Sequence, residues 1–386
     1  MTDIVIAGIG QTEVGEHWDR GLRELAHEAA AEALRDSGGL RPQAVFVGNM
    51  LAPSLSRQAH VGSLVADYTG LVGAEAVTIE AAGASGGAAL RQGYLAVASG
   101  MVDSALVLGV EKFTDKVGPG VDEALATTSD SDFEAIQGLT AVGQAALLMR
   151  RYMYENEVPA DGFAGFALTA HANGAGNPCA MFQKAIRPET YARAEMVSEP
   201  LNMFDIAPNA DGAAAVVLTR AELLPSGWPH PRVVIAGSGA ASDTLALHDR
   251  KDSLYFETAQ LSAGRAMKQA GVTLNAIDLF EYHDAFSIYA ALSLEAVGFA
   301  LKGHGWKLAA DGSIGLKGSI PSATMGGMKA RGFPGGAAGV YQAVEAALQL
   351  RGQAGKNQLT KARAGLIQSL GGPASTAVSH ILRRLD

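Results

Sequence analysis

The stretch Thr78-Ile-Glu-Ala-Ala-Gly-Ala-Ser-Gly-Gly-Ala-Ala-Leu90 sets the architecture of this chain. The apolar run just before its small residues, 76–79, predicts a buried strand, and apolar residues at helical spacing from Leu90 to Val97 predict a helix. The small residues between them predict a sharp strand-to-helix elbow, because small side chains let two backbones approach closely. Such elbows often hold a nucleophile above the helix N-terminus, but the tip of this one is Gly83.

The composition predicts a compact protein with a large core. Of its 386 residues, 48% are hydrophobic and 18% are charged, and the length suggests two or three domains. A net charge of −9 without a basic run argues against a surface for nucleic acid or for anionic membranes. The chain enters a strand almost directly after Met1, and no apolar stretch reaches transmembrane length. We therefore expect a cytoplasmic protein that binds neither nucleic acid nor membrane.

Neither a metal ion nor a resident cofactor is expected. The single cysteine, Cys179, excludes an internal disulfide and a cysteine-based metal cluster, and the histidines show no metal-ligand spacing. Gly8-Ile-Gly10 follows a strand but lacks the third glycine and the helix of a dinucleotide site. Cys179 has no histidine close by in sequence, so we interpret it as a small buried residue rather than a nucleophile.

The chain repeats its order of elements once. Ile4-Val-Ile-Ala-Gly-Ile-Gly10 opens the first half, and Val233-Val-Ile-Ala-Gly-Ser-Gly239 opens the second. The pairs that follow are helices 22–36 and 258–269, strands 44–47 and 277–280, small-residue patches 85–90 and 334–339, helices to Ser99-Gly100 and over 340–350, and strands 104–109 and 364–368. Alternating strands and helices predict two similar α/β units, each with a buried sheet covered by helices.

Residues 112–209 have no counterpart in the second half and are therefore an insertion over the elbow. Helices are predicted over 140–154 and 161–171, and the segment is interpreted either as part of a ligand pocket or as a structural cap or dimer contact. Three prolines and a glycine near 222–231 interrupt the periodicity. They predict an N-terminal unit over 1–225 and a C-terminal unit over 226–386.

Ordered motifs extend over nearly the whole chain, from Ile4 to about Leu382. They are Glu80-Ala-Ala-Gly-Ala-Ser-Gly-Gly87, Gly109-Val-Glu-Lys112, Asp211-Gly-Ala-Ala-Ala-Val-Val217, His283-Asp-Ala-Phe286, Gly326-Gly-Met-Lys-Ala-Arg-Gly-Phe-Pro334 and Gly371-Gly372. With these motifs the chain resembles a thiolase, in the branch near sterol carrier protein (lipid-transfer) thiolases and archaeal acetoacetyl-CoA thiolases. The resemblance implies a five-layered αβαβα fold of two duplicated halves with the insertion in the first. It also implies a homodimer or heteromer and a coenzyme A thioester as substrate or ligand.

The same resemblance implies a degenerate active site. Gly83 stands where the family has the acyl-accepting cysteine, and a side chain there would carry strain of about 1–3 kcal/mol that glycine avoids. Phe333 stands in the position of the histidine base. The two positions for a second cysteine hold Ser369 and Ala285. His283, with Asp284 beside it, matches the residue that holds an oxyanion in this branch, and we expect a thioester pocket formed by Gly83, Gly371 and His283.

Three functions remain open from the sequence. The first is acyl-CoA carbon–carbon bond chemistry of the retro-aldol type, with Tyr341 and Tyr282 as acid and base candidates and a small zinc-ribbon/OB-fold partner, as the resemblance to the lipid-transfer branch implies. The second is a non-catalytic, acyl-CoA-binding subunit or scaffold. The third is a thiolase, an acetyl-CoA acyltransferase, that uses Ser85 or Ser369 as nucleophile, although Phe333 replaces the base that would activate it.

Overall fold

The structure is a computed structural model that describes residues 3–386; Met1 and Thr2, where the predicted N-terminal unit begins, lie outside the described residues. Within residues 3–386 the strands are β1 (Ile4–Gln11), β2 (Ala44–Gly48), β3 (Glu75–Ile79), β4 (Ser104–Glu111), β5 (Met196–Ser198), β6 (Leu201–Asn202), β7 (Gly212–Arg220), β8 (Val233–Ser242), β9 (Leu279–Glu281), β10 (Ala364–Gly371) and β11 (Thr376–Arg384). The α-helices in the same range are α1 (Leu22–Asp36), α2 (Ala52–Leu55), α3 (Val61–Tyr68), α4 (Ser85–Ala98), α5 (Pro119–Ala126), α6 (Ala141–Glu155), α7 (Ala164–Gly174), α8 (Pro188–Ala192), α9 (Glu257–Ala270), α10 (Ser287–Val297), α11 (Gly305–Ala310) and α12 (Ala338–Arg351).

Two groups of strands form the sheet structure, and the second has the order of the first without a counterpart of β3. The first runs β3-β2-β4-β7-β1, and the second runs β9-β10-β11-β8. Strand β4 pairs in parallel with β2, and β10 pairs in parallel with β9. Strands β7 and β11 are antiparallel to both of their neighbours. The groups meet edge to edge where Val5 of β1 pairs with Val234 of β8. The matching orders confirm the duplication predicted from the sequence.

Helices form three layers around these strands. Helices α4 and α12 contact each other and lie between the two groups of strands, while α1 covers the outer face of the first group and α9 that of the second. The resulting order is helix, sheet, helix, sheet, helix, which confirms the five-layered αβαβα fold.

The glycine-rich patches of the two halves are explained by the contact between the two middle helices. A Cβ atom on Gly339 would lie 2.3 Å from the backbone nitrogen of Gly87, and one on Gly86 would lie 2.7 Å from the carbonyl oxygen of Gly336. Only glycine permits this separation, because any side chain would overlap the facing backbone. The patch therefore recurs because each half contributes one helix to the shared layer.

The insertion supplies α5 to α8 and the β5–β6 hairpin. Its helices α6 and α7 begin within three residues of the predicted starts. Strand β9 begins at Leu279 rather than at the predicted residue 277, because a 3₁₀ turn over Leu274–Ala276 precedes it. Among residues 3–386, no helix has both the length and the apolar character needed to cross a bilayer.

Candidate functional site

The elbow after β3 is held by the Ser85 side chain. Its hydroxyl donates a hydrogen bond to the Ala82 carbonyl oxygen at 2.6 Å and accepts one from the Ala81 backbone nitrogen at 2.9 Å. The left-handed residue of the elbow is Ala82, with φ of +49°, whereas Gly83 lies outside that region of φ. The sequence predicts the strained position at Gly83, but the structure has it one residue earlier, at Ala82. Backbone strain therefore does not explain the glycine.

Space explains it instead. A Cβ atom on Gly83 would lie 2.7 Å from the carbonyl oxygen of Leu370 and 2.8 Å from Cε1 of His283. Both distances are shorter than a Cβ atom makes in a packed protein, and one neighbour is backbone that cannot rotate away. In this structure the place of a nucleophilic side chain is occupied by the second half of the chain.

His283 reaches the elbow from the loop after β9. The side chain is buried, and its Nε2 atom lies on the side of Gly83, 3.3 Å from where a Cβ atom of that residue would be. Burial, and then the positive charge of Arg331, lower the pKa of His283 to about 3. The imidazole is therefore neutral at physiological pH, and it can donate one hydrogen bond.

Phe333 closes the other side of the His283 ring. The two rings meet edge to face with centroids 5.6 Å apart. The Phe333 backbone is fixed against the end of the insertion, because its N–H donates to Pro208 O at 2.9 Å and its carbonyl accepts from Ala210 N at 3.1 Å. A phenyl ring cannot accept a proton, so Phe333 is an apolar wall beside the imidazole and not a base.

These residues surround a small cavity of about 60 Å³. Gly83, Leu125, Gln144, His283, Tyr289 and Phe333 are among its lining residues. The walls come from both halves and from the insertion, so the cavity exists only when all three are folded together. The titratable groups in its lining are His283 and Tyr289.

Tyr289 is the lining residue that sequence reasoning missed. It lies in the first turn of α10, packs edge-on against Phe286 and Phe256 with ring centroids 5.0 and 5.6 Å away, and is almost fully buried. Burial raises the pKa of its phenol, and the nearby Arg250 opposes that shift. Every residue of α10 is buried, so the sequence carries no periodic signal for which side chain faces the cavity.

The structure does not bring the two predicted tyrosines to this cavity. The Tyr341 hydroxyl donates to the Thr12 carbonyl oxygen at 3.1 Å in the core, and its ring lies beneath the guanidinium of Arg331 at 4.8 Å. Tyr282 packs edge-on between Phe166 and Phe280. Burial raises the pKa of both phenols, so neither is prepared to act as a base.

The remaining predicted site residues hold the walls in place. Asp284 accepts a hydrogen bond from the Met328 backbone nitrogen at 2.7 Å and so fixes the π-helical turn over Gly327–Arg331. The Ser369 hydroxyl donates to Gln342 Oε1 at 2.8 Å, and the Gly371 carbonyl accepts from Ser375. Gly372, rather than Gly371, is the residue of that pair that lines the cavity.

Cys179 lies away from the cavity lining, in the insertion. Burial, together with three surrounding glutamates, raises the pKa of its thiol to about 11, so the thiol is protonated and poorly nucleophilic. Residues 3–386 contain no group of three or more His, Cys, Asp or Glu side chains arranged to hold a metal ion. The two titratable groups of the cavity, the His283 imidazole and the Tyr289 phenol, are therefore both neutral near pH 7, and each can donate a hydrogen bond.

Two family models cover nearly the whole chain. The model of the thiolase N-terminal domain matches residues 4–222, and that of the thiolase C-terminal domain-like region matches residues 239–384. These ranges contain the elbow and the loops that carry His283 and Phe333.

Similar proteins extend over the same length. An acetyl-CoA acetyltransferase of Methanothermobacter thermautotrophicus is 42% identical over 386 residues, covering 100% of both chains. The benzoylsuccinyl-CoA thiolase subunit BbsB of Thauera aromatica is 30% identical, over 91% of this chain and 89% of that protein. A solved structure described as an Ltp2-ChsH2(DUF35) aldolase superimposes with a TM-score of 0.84 at 24% identity, covering 99% of this chain and 98% of that chain.

Proposed function

The chain belongs to the thiolase family, and from this premise we propose that it binds an acyl-CoA thioester beside Gly83 and acts on it without an acyl-enzyme intermediate. The observation that carries the proposal is the space around Gly83, which Leu370 O and the His283 ring fill where a nucleophile would stand. Among the described residues that line the cavity, none carries a thiol.

The chemistry that fits this site is carbon–carbon bond cleavage of the retro-aldol type. The hydroxyl proton of a β-hydroxyacyl-CoA passes to a base, the Cα–Cβ bond breaks to leave a ketone or aldehyde, and the electron pair moves onto the thioester as an enolate. Protonation at Cα then gives the shortened acyl-CoA, so no oxidant or reductant is needed. His283, with its proton on Nε2, donates a hydrogen bond to the enolate oxygen, which is worth most in a dry site.

A partner subunit completes this site in our proposal. The low pKa of His283 and the raised pKa of Tyr289 leave neither group suited to accept a proton near neutral pH. We therefore assign the base to a small zinc-ribbon/OB-fold partner. Two similar proteins support the presence of a partner, because one is described as a thiolase subunit and the other as an aldolase with a DUF35 protein.

A non-catalytic subunit is the second candidate. It is favoured by the small size of the cavity, about 60 Å³, and by the lack of an ordinary base among its described lining residues. In that case the chain would bind acyl-CoA and support a partner without turnover. A serine-dependent thiolase is less well supported, because the hydroxyls of Ser85 and Ser369 are both donated to oxygen acceptors within the protein.

We also propose a homodimer built on β3. This strand stands at the end of its sheet and pairs only with β2 among the described strands, so one of its edges offers unpaired backbone groups. Its Val77 side chain is about half exposed. Sedimentation of the purified chain is expected to give twice the monomer mass, and the charged variant Val77→Glu is expected to weaken the dimer.

Turnover assays test the main proposal. The chain, a candidate DUF35-type partner and their mixture are incubated with β-hydroxyacyl-CoA thioesters, and both products are quantified by mass spectrometry. The mixture should release a carbonyl compound and a shorter acyl-CoA. His283→Leu should lower kcat by about 10²–10³, as removal of an oxyanion donor does, while the exposed His304→Leu should not.

The other outcomes separate the alternatives. Saturable acyl-CoA binding without products in any mixture would support the non-catalytic subunit. Thiolysis of acetoacetyl-CoA by the chain, dependent on added coenzyme A, would reject both candidates.

A further inference from the structure

A second cavity of about 460 Å³ opens in the insertion. It is separated from the Gly83 cavity by the backbone around Ala207. Ala207 lines this second cavity, and its N–H donates at 2.8 Å to the carbonyl of Ala285, a lining residue of the first. Val142, Ile186, Val197 and Met203 give it apolar sides. We call this second cavity the insertion groove; its volume is in the range of small-molecule sites.

The charged groups that line the insertion groove carry one sign of charge. They are Lys329 and Lys184, and the lining contains no carboxylate among the described residues, while His171 adds a neutral imidazole. His171 is stacked on Phe182 with centroids 5.7 Å apart, and burial is the main cause that lowers its pKa. An apolar groove with cations and without acids is complementary to an apolar chain that ends in a negative charge.

Lys329 is the buried cation of the groove. Its side chain is only 2% exposed, and Nζ donates a hydrogen bond to the Asp205 carbonyl oxygen at 2.7 Å. An ammonium group has three donors, and this bond uses one of them. The carboxylates of Asp284 and Asp205 oppose the fall in the Lys329 pKa, to about 8, that burial causes. Among residues 3–386 no carboxylate accepts a hydrogen bond from Nζ, so two of its donors remain for an anionic ligand.

We propose that the insertion groove binds a ligand with an apolar chain and one terminal carboxylate, with the carboxylate against Lys329 and the chain along Val142, Val197 and Met203. Such a ligand is a free medium-chain carboxylic acid or the acid end of a larger molecule. A charge-assisted hydrogen bond from a buried ammonium gives both affinity and orientation. The proposal does not depend on turnover at the Gly83 cavity.

Calorimetry with two probes tests the proposal. Decanoate and 1-decanol, each below its micelle or solubility limit, have the same chain and differ in the terminal charge. The wild-type protein is expected to bind decanoate at least about tenfold more tightly than decanol, since a hydrogen bond to a charged group contributes about 1.5–3 kcal/mol. Lys329→Met should remove that preference while decanol still binds, which shows that the groove is intact.

Two further variants control for location. The exposed Lys356→Met should leave both affinities unchanged, and Val142→Trp, which fills the groove, should weaken both probes. The proposal is rejected if wild type does not prefer decanoate, if Lys329→Met keeps the preference, or if Val142→Trp has no effect on decanoate. Competition by an acyl-CoA distinguishes a larger acid-bearing ligand from a free carboxylic acid.

Discussion

Gly83 is the residue at which sequence and structure give different reasons for the same observation. The sequence suggested that glycine relieves backbone strain at the tip of the elbow, but the left-handed residue is Ala82. The reason lies in atoms from residues 283 and 370, which are remote in sequence and become neighbours only in the folded chain. No local pattern could have shown this.

The variant Gly83→Ala tests the crowding. Its methyl group would overlap Leu370 O and His283 Cε1, so we expect the free energy of unfolding to fall by about 1–3 kcal/mol. Gly264 is a matched control, because it lies in α9 with open space around it and an ordinary φ. Gly264→Ala should raise the unfolding free energy by about 0.5–1 kcal/mol. Urea unfolding that shows Gly83→Ala to be as stable as wild type would contradict the crowding.

His283 should also leave a signature in the pH dependence of stability. Its folded-state pKa, about 3, lies below the unfolded value of about 6.5, so the unfolded chain binds the proton first as pH falls. Between pH 6.5 and pH 5, the free energy of unfolding of the wild type should therefore fall by about 2 kcal/mol more than that of His283→Gln. Urea titrations of both proteins at the two pH values measure the difference, with the exposed His304→Gln as reference. A constant difference between wild type and His283→Gln would show that the imidazole protonates equally well in the folded protein.

At the scale of elements, the turn before Phe333 depends on buried charges. Arg331 Nε lies 2.8 Å from Oε1 of Glu345 on α12, and both side chains are 1% exposed. Burial raises the pKa of Glu345, and Arg331 opposes that shift by favouring the carboxylate. The pair connects the turn before Phe333 to the middle layer of helices, and so it holds one wall of the cavity in place.

A comparison of one single variant with one double variant tests the pair. Burial raises the pKa of Glu345 to about 8, so the comparison is made above that pH, where Glu345→Gln leaves the Arg331 charge without a partner and should lower the unfolding free energy by about 3–5 kcal/mol. Arg331→Met/Glu345→Met removes both charges and should be clearly more stable than Glu345→Gln. If chemical denaturation shows Glu345→Gln to be nearly neutral, the pair is not ionic in the folded protein.

Helix α10 shows where prediction from sequence had to stop. The helices with one exposed face, such as α1, were predicted at their observed bounds, because apolar residues recur on one side. Helix α10 is buried on every side, so its periodicity does not indicate which residue faces the cavity. Tyr289 was therefore missed, although it follows the His283-Asp-Ala-Phe286 motif within one helical turn.

For the whole molecule, the duplication was predictable and the meeting of the halves was not. Each half keeps the same order of strands and helices, and that order is visible in the letters. The cavity, in contrast, takes Gly83 from the first half, His283 and Phe333 from the second, and Leu125 from the insertion. Its lining residues are brought together by contacts between these parts, and a single sequence does not show such contacts.

Intact-mass spectrometry of the full chain, quenched in acid during incubation with its partner and acyl-CoA substrates, tests the central claim most directly. Our account predicts that the chain keeps its unmodified mass at every time point, including while products accumulate. An added mass equal to the acyl group, mapped to any side chain and appearing during turnover, would contradict it.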